Sequence, residues 1–236
     1  MIYSPLLIFS SLTIITAGLA SLVIYLISFR EKNALHKSSL RQWALAFFLM
    51  TWVRMPTILA ASGVEIMAYK LIPFYLFAFV AFIIAYLLFY RGAIQLFTEK
   101  KFWINTFPIL VFIFFAASTF ALHFIAEIQT TSLITVSKVF SYSIILFFIA
   151  ATITFLARKS ASLVPIGKAG IIIMNIGWIL FLISDFSLLR SMLIYPRDFW
   201  FIALISEPAT YLGLTIAHLL ILLGIVLNIY HKEPKA

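Results

Sequence analysis

Apolar runs long enough to cross a bilayer recur along this chain, separated by short polar or basic breaks. A spanning helix needs about 20 mostly apolar residues. Seven segments meet that length, near 5–29, 40–62, 71–90, 102–124, 138–157, 169–190 and 208–230. The pattern predicts an all-α polytopic integral membrane protein. Residues 1–236 are expected to form a single seven-helix transmembrane domain. The first run, Pro5 to Phe29, has no basic segment before it and exceeds the apolar core of a signal peptide, so a retained helix is expected. The run 198–206 ahead of Glu207-Pro208 reads either as an outer interfacial segment or as an early turn of helix seven. A break at Glu207 is favoured because proline suits a first helical turn and pushes its predecessor from helical angles. Pro56 and Pro108 fall inside spans and free the carbonyls of Trp52 and Ile104, which predicts local distortion at both.

Composition agrees with the pattern. The chain is 64% hydrophobic and only 11% charged, with mean hydropathy +1.12, whereas a soluble domain carries about a quarter charged residues. The net charge of +9 does not imply nucleic acid, because the basic residues cluster in the breaks. Twelve of the 17 Lys and Arg fall on one predicted side, in the clusters Arg30–Arg41, Arg91–Lys101, Arg158–Lys168 and Lys232–Lys235, against four on the other. Positive loops face the cytoplasm, so the N-terminus is expected outside and the C-terminus cytoplasmic, in a cell (cytoplasmic) membrane. Trp43, Tyr69, Tyr75, Tyr90, Trp103, Tyr195, Trp200 and Tyr230 fit interfacial aromatic belts. Cysteine is absent, which excludes disulfides and thiolate chemistry.

Ionisable groups at membrane depth are expensive and call for partners or a water-filled cavity. Arg54 lies roughly 20 Å along helix two, and Asp185 roughly 25 Å beyond Lys168, at 1.5 Å per residue. Both therefore fall in the outer half, where they form a natural ion pair. Asn175, Trp178 and Asp185 share one side of helix six, with Phe181 and Leu182 between. Glu207, Tyr211, Thr215 and His218 form a matching stripe on helix seven at steps of 4, 4 and 3. The two stripes define a candidate outward-opening ligand site with Arg54 at its side. Ordinary interhelical hydrogen bonding is the plainer account of the same residues. Small residues mark close approach: Ser10, Ala17 and Ser21 on helix one, and Gly213, Ala217 and Gly224 on helix seven.

Most chemistry is excluded. His123 and Glu127 are four apart, but no paired-histidine or HExxH spacing accompanies them. Ser184, Asp185 and His218 lack any nucleophile setting such as GxSxG. Phosphate loops and dinucleotide fingerprints are absent. No cofactor and no metal is expected. The last span has no lysine for a retinal Schiff base, and Phe89-Tyr90-Arg91 lacks the acid of the receptor motif.

Two resemblances add to this reading. Gly177-x-x-x-Phe181-x-x-Ser184-Asp185, followed by a helix from Tyr211 to Gly224, resembles the C-terminal half of the lysoplasmalogenase (YhhN-like) membrane family. That resemblance implies cleavage of the vinyl-ether bond of lysoplasmalogens and casts Asp185 as a carboxylate that polarises water or protonates the enol ether. The size, orientation, basic inner loops and outer polar cluster resemble the seven-helix sensor modules of bacterial histidine kinases and cyclases. On that likeness the protein is a non-enzymatic sensor-like or ligand-binding bundle. Its partners are membrane lipid, a small amphiphilic ligand and a separate cytoplasmic output protein. A small-solute transporter is the third class; the apolar inner halves, as in Phe77 to Leu88, speak against it.

Overall fold

The computed structural model describes residues 4–62, 68–95, 100–110, 113, 165–194 and 208–230. Among them every regular element is helical and no strand occurs. Five long helices are present: α1 (Ser4–Arg30), α2 (Ala34–Ala61), α3 (Ala68–Gln95), α4 (Pro165–Ile194) and α5 (Pro208–Tyr230). A short π-helical turn at Phe102–Thr106 is the sixth. The predicted spans near 5–29, 40–62, 71–90, 169–190 and 208–230 each fall on one of the five long helices. The span at 138–157, the run 198–206 and most of the span at 102–124 lie outside the described residues. Among the described residues two helical stretches are long and apolar enough to cross a membrane, Pro5–Arg30 and Pro208–Asn228, each with mean hydropathy 2.2.

Local chemistry explains the helix starts. Asn33 caps α2: its Oδ1 accepts from the N–H groups of Leu35 at 2.9 Å and His36 at 3.2 Å. Pro208 opens α5, as expected, at a position where its missing N–H costs nothing. The two intra-span prolines behave differently. α2 runs on through Pro56 to Ala61. Ahead of Pro108, by contrast, the chain adopts π geometry, and the Phe107 N–H reaches back five residues to the Phe102 carbonyl. A proline that cannot donate to Ile104 loosens the preceding turn in the predicted place.

The helices pack α1 on α2, α2 on α3 and α4 on α5, and the first helix also packs on the last. Small residues set the α4–α5 approach. A Cβ added to Gly177 would lie 2.8 Å from Ile221 N and 3.0 Å from the Ala217 carbonyl. One added to Gly170 would lie 2.8 Å from the Gly224 carbonyl. Backbones meet there with nothing between them, the arrangement expected from Ala217 and Gly224. On the α1–α2 side Ser21 Oγ donates to the Ala44 carbonyl at 2.8 Å.

The aromatic-belt expectation fails at two positions. Trp43 is only 2% exposed. It donates from Nε1 to the Phe89 carbonyl at 3.0 Å and meets Trp178 edge-on at 5.9 Å. The space for its indole exists because residue 92 is glycine. Tyr90 is also buried and donates to the Trp103 carbonyl at 2.9 Å. Both rings have a polar atom with a partner inside the protein, so neither needs the membrane–water boundary.

Candidate functional site

Polar side chains converge where α1 meets α5, with α2 and α4 closing the sides. The stripe on α5 points inward as its spacing predicted: Tyr211, Thr215 and His218 are all buried. α1 answers with Ser10, Thr13 and Thr16, also buried. Thr13 Oγ1 lies 2.9 Å from both the Phe9 and Tyr211 carbonyl oxygens and 3.0 Å from Thr215 Oγ1. Thr215 Oγ1 in turn lies 2.8 Å from the Tyr211 carbonyl. Two hydroxyl protons thus serve two carbonyls, and every atom of the group is satisfied within the chain. This part of the cluster is a staple between the first and last helices.

The nitrogens of the cluster differ from its hydroxyls. His218 Nδ1 lies 3.4 Å from Thr16 Oγ1, and the Thr16 hydroxyl already donates to the Leu12 carbonyl at 2.9 Å. The network therefore puts the shared proton on Nδ1 and leaves Nε2 as a bare acceptor. Nε2 is fully buried and has no hydrogen-bond partner among the described residues. The imidazole is wedged between Phe47, at 5.4 Å and 90°, and Phe181, at 5.6 Å. On α4, Trp178 Nε1 is likewise buried without a partner among the described residues. Its ring packs against Phe89 at 5.0 Å and Phe181 at 5.7 Å. An unmet buried donor or acceptor costs about 1–3 kcal/mol, and these two ring nitrogens are one of each.

Arg54 completes the cluster from α2. It is 4% exposed, and its Cζ sits 5.9 Å from the centroid of the Tyr211 ring. The guanidinium is thus turned inward, and the aromatic face supplies part of its stabilisation. The predicted ion pair with Asp185 cannot be placed in the same way: Asp185 belongs to α4, but its side chain lies outside the described residues. Glu207, His123 and Glu127 lie wholly outside them. Asn175 is half-buried on α4. No group of three or more metal-ligating side chains occurs among the described residues.

Of the eight candidate residues, Arg54, Trp178, Tyr211, Thr215 and His218 occupy the buried interior. The reading from spacing missed Thr13 and Thr16. Their signal was present, since Ser10, Thr13 and Thr16 recur at steps of three along a largely apolar run. It also missed the aromatic shell of Phe47, Phe89 and Phe181, because phenylalanine in a chain with 25 of them carries no positional information. No family model, curated protein or solved structure matches this chain.

Proposed function

We propose that this protein is a non-enzymatic sensor-like or ligand-binding bundle that binds a small amphiphile between its helices. It crosses the cell membrane seven times, with its N-terminus outside and its C-terminus cytoplasmic. The ligand site lies in the outer half, around Arg54, Trp178, Tyr211, Thr215 and His218, with Asn175, Asp185 and Glu207 at its margin. One observation supports the site above others: two buried ring nitrogens, one acceptor and one donor, stand unmatched beside hydroxyls that are all matched. A ligand carrying a hydroxyl supplies a proton for His218 Nε2 and an oxygen for Trp178 Nε1–H, and its apolar part suits Phe47 and Phe181.

The membrane location draws support from the way polarity is distributed. Ile8, Ile15 and Leu22 on α1, and Ile172, Ile176 and Ile183 on α4, are exposed. Ser10, Thr13, Arg54 and His218 are buried. Apolar outward faces with polar groups turned inward suit lipid as the solvent.

The test pairs thermal shift with native mass spectrometry on the detergent-purified protein. The probes are long-chain alcohols and monoacylglycerols, with alkanes of equal length as controls. Hydroxylated probes are expected to bind and stabilise, and His218→Phe is expected to remove the effect while the protein stays folded. Equal responses to alcohols and alkanes, or an unchanged response in His218→Phe, would overturn the proposal. The panel includes a vinyl-ether lysolipid. Aldehyde release from it, abolished by Asp185→Asn, replaces the binding reading with hydrolysis.

A further inference from the structure

A second site stands at the opposite end of the bundle, and nothing in the interior cluster requires it. A groove of about 340 Å³ opens at the start of α2, lined by Ala34, Lys37, Ser38, Arg41, Gln42 and Leu45. These positions repeat at helical spacing, so they share one face of the helix. We propose that this face binds an anionic phospholipid, its phosphate at Lys37 and Arg41 and one acyl chain along α2.

The first turn of α2 contains no acidic residue, so the positive end of the helix dipole is not offset from within the helix. Lys37 and Arg41 follow at the fourth and eighth positions of the helix. Among the described residues neither Lys37 nor Arg41 makes an ion pair. The acid in the adjoining turn is occupied. Glu31 Oε1 accepts from the Asn33 N–H at 3.0 Å, and its Oε2 lies 4.0 Å from His36 Nδ1. A phosphate placed here meets positive charge from the two side chains, beside a helix start whose Leu35 and His36 N–H groups are already capped by Asn33.

Arg41 Cζ lies 5.6 Å from the centroid of the Phe29 ring, at the end of α1. Gln42 Nε2 donates to Gln95 Oε1 of α3 at 2.9 Å and reaches Ser38 Oγ at 3.3 Å. The floor of the groove is therefore tied to two neighbouring helices before any ligand arrives.

The shape of the face selects a lipid over a free anion. Below Arg41 the same stripe continues as Leu45, Phe48 and Trp52, each exposed. Trp52 packs edge-on against Phe48 at 6.5 Å and against Phe77 at 6.1 Å, which gives the lower end a wall. From Arg41 to Trp52 the stripe runs about 16 Å along the helix, comparable with an extended acyl chain. Inorganic phosphate has no use for that track.

This inference rests on the membrane location proposed above but not on the interior ligand. Protein in mixed micelles is titrated with phosphatidylglycerol or phosphatidylcholine of the same chains, and bound lipid is counted by native mass spectrometry. Phosphatidylglycerol is expected to be retained in preference. Each basic residue near an anionic surface contributes about fivefold, so Lys37→Gln with Arg41→Gln is expected to cut that preference about 25-fold. Lys100→Gln with Lys101→Gln, an equal loss of charge elsewhere, is expected to leave it intact. Phe48→Ser is expected to weaken lipid retention, and millimolar inorganic phosphate is expected not to displace the lipid. The proposal is overturned if the Lys37/Arg41 variant keeps its preference, or if the Lys100/Lys101 variant loses it equally. Displacement by phosphate alone, showing a free-anion site, also overturns it. Because these residues are remote from His218, failure here leaves the response to alcohols unchanged, and the two proposals fail separately.

Discussion

Alanine at position 177 tests whether α4 and α5 truly meet backbone to backbone. The added Cβ would lie 2.8 Å from Ile221 N, 2.9 Å from Ile221 Cγ1 and 3.0 Å from the Ala217 carbonyl oxygen. Two of those three atoms are backbone and cannot rotate away, so the helices must part by roughly half an ångström to restore ordinary contact. Overpacking of this kind costs about 1–3 kcal/mol. Alanine recovers up to about 1 kcal/mol through its better helix propensity. The expected net effect of Gly177→Ala is a destabilisation of about 1–2 kcal/mol. That is a factor of roughly 5–30 in the folded-to-unfolded ratio.

Gly18 supplies the control. Its added Cβ would meet only Thr51 Cγ2, at 3.7 Å, an ordinary contact. Gly18→Ala should therefore keep the propensity gain and stabilise by up to about 1 kcal/mol. Both variants are followed by denaturing-detergent titration in mixed micelles, read by tryptophan fluorescence, with Trp178 adjacent to the altered site. Opposite shifts of the transition midpoint are expected. Shifts of the same sign, or a stabilised Gly177→Ala, would refute the close approach.

Thr13→Val removes the bridge to the Tyr211 carbonyl and to Thr215; a loss of about 0.6 kcal/mol, and no more than about 1.7, is expected in the same titration. Trp43→Phe keeps most of the apolar contact but loses the bond to the Phe89 carbonyl. About 1 kcal/mol of destabilisation should follow, with a change in the emission of Trp178. His218→Phe fills the space between Phe47 and Phe181 without a bare acceptor, so thermal stability should hold or rise by up to about 1–3 kcal/mol. A large loss would show that the Thr16 contact matters more than the orphaned nitrogen. Arg54→Met leaves an apolar stem beside Tyr211 and removes about 0.5–2 kcal/mol of cation–π attraction; its cost should shrink in a Tyr211→Leu background.

Five of the seven predicted spans coincide with long helices among the described residues, because a run of about 20 apolar residues has few alternatives. The inward face of α5 was equally legible, since Tyr211, Thr215 and His218 share one side only if the segment is helical. Two things were not. Trp43 reads as a belt residue because interfacial and core tryptophans look alike in sequence. Only the third dimension shows that Gly92 makes room for it. The contact between α1 and α5 was also hidden, because nothing in a linear pattern tells which helices are neighbours. Thr13 and Thr215 stand 202 residues apart and meet at 3.0 Å. Polar periodicity thus identified one half of the cluster and left the other half anonymous.

The pairing of the first helix with the last bears on how the chain is made. In the membrane location proposed above, α1 is delivered to the bilayer long before α5 exists, so its polar side chains must wait in lipid without their final neighbours. They are equipped to wait. Ser10, Thr13 and Thr16 each place a hydroxyl within reach of the carbonyl four residues earlier, at 2.7, 2.9 and 2.9 Å. The nascent span therefore satisfies itself during insertion. Thr13 later shares its hydroxyl with an arriving helix at little cost. His218 is synthesised long after its Thr16 neighbour.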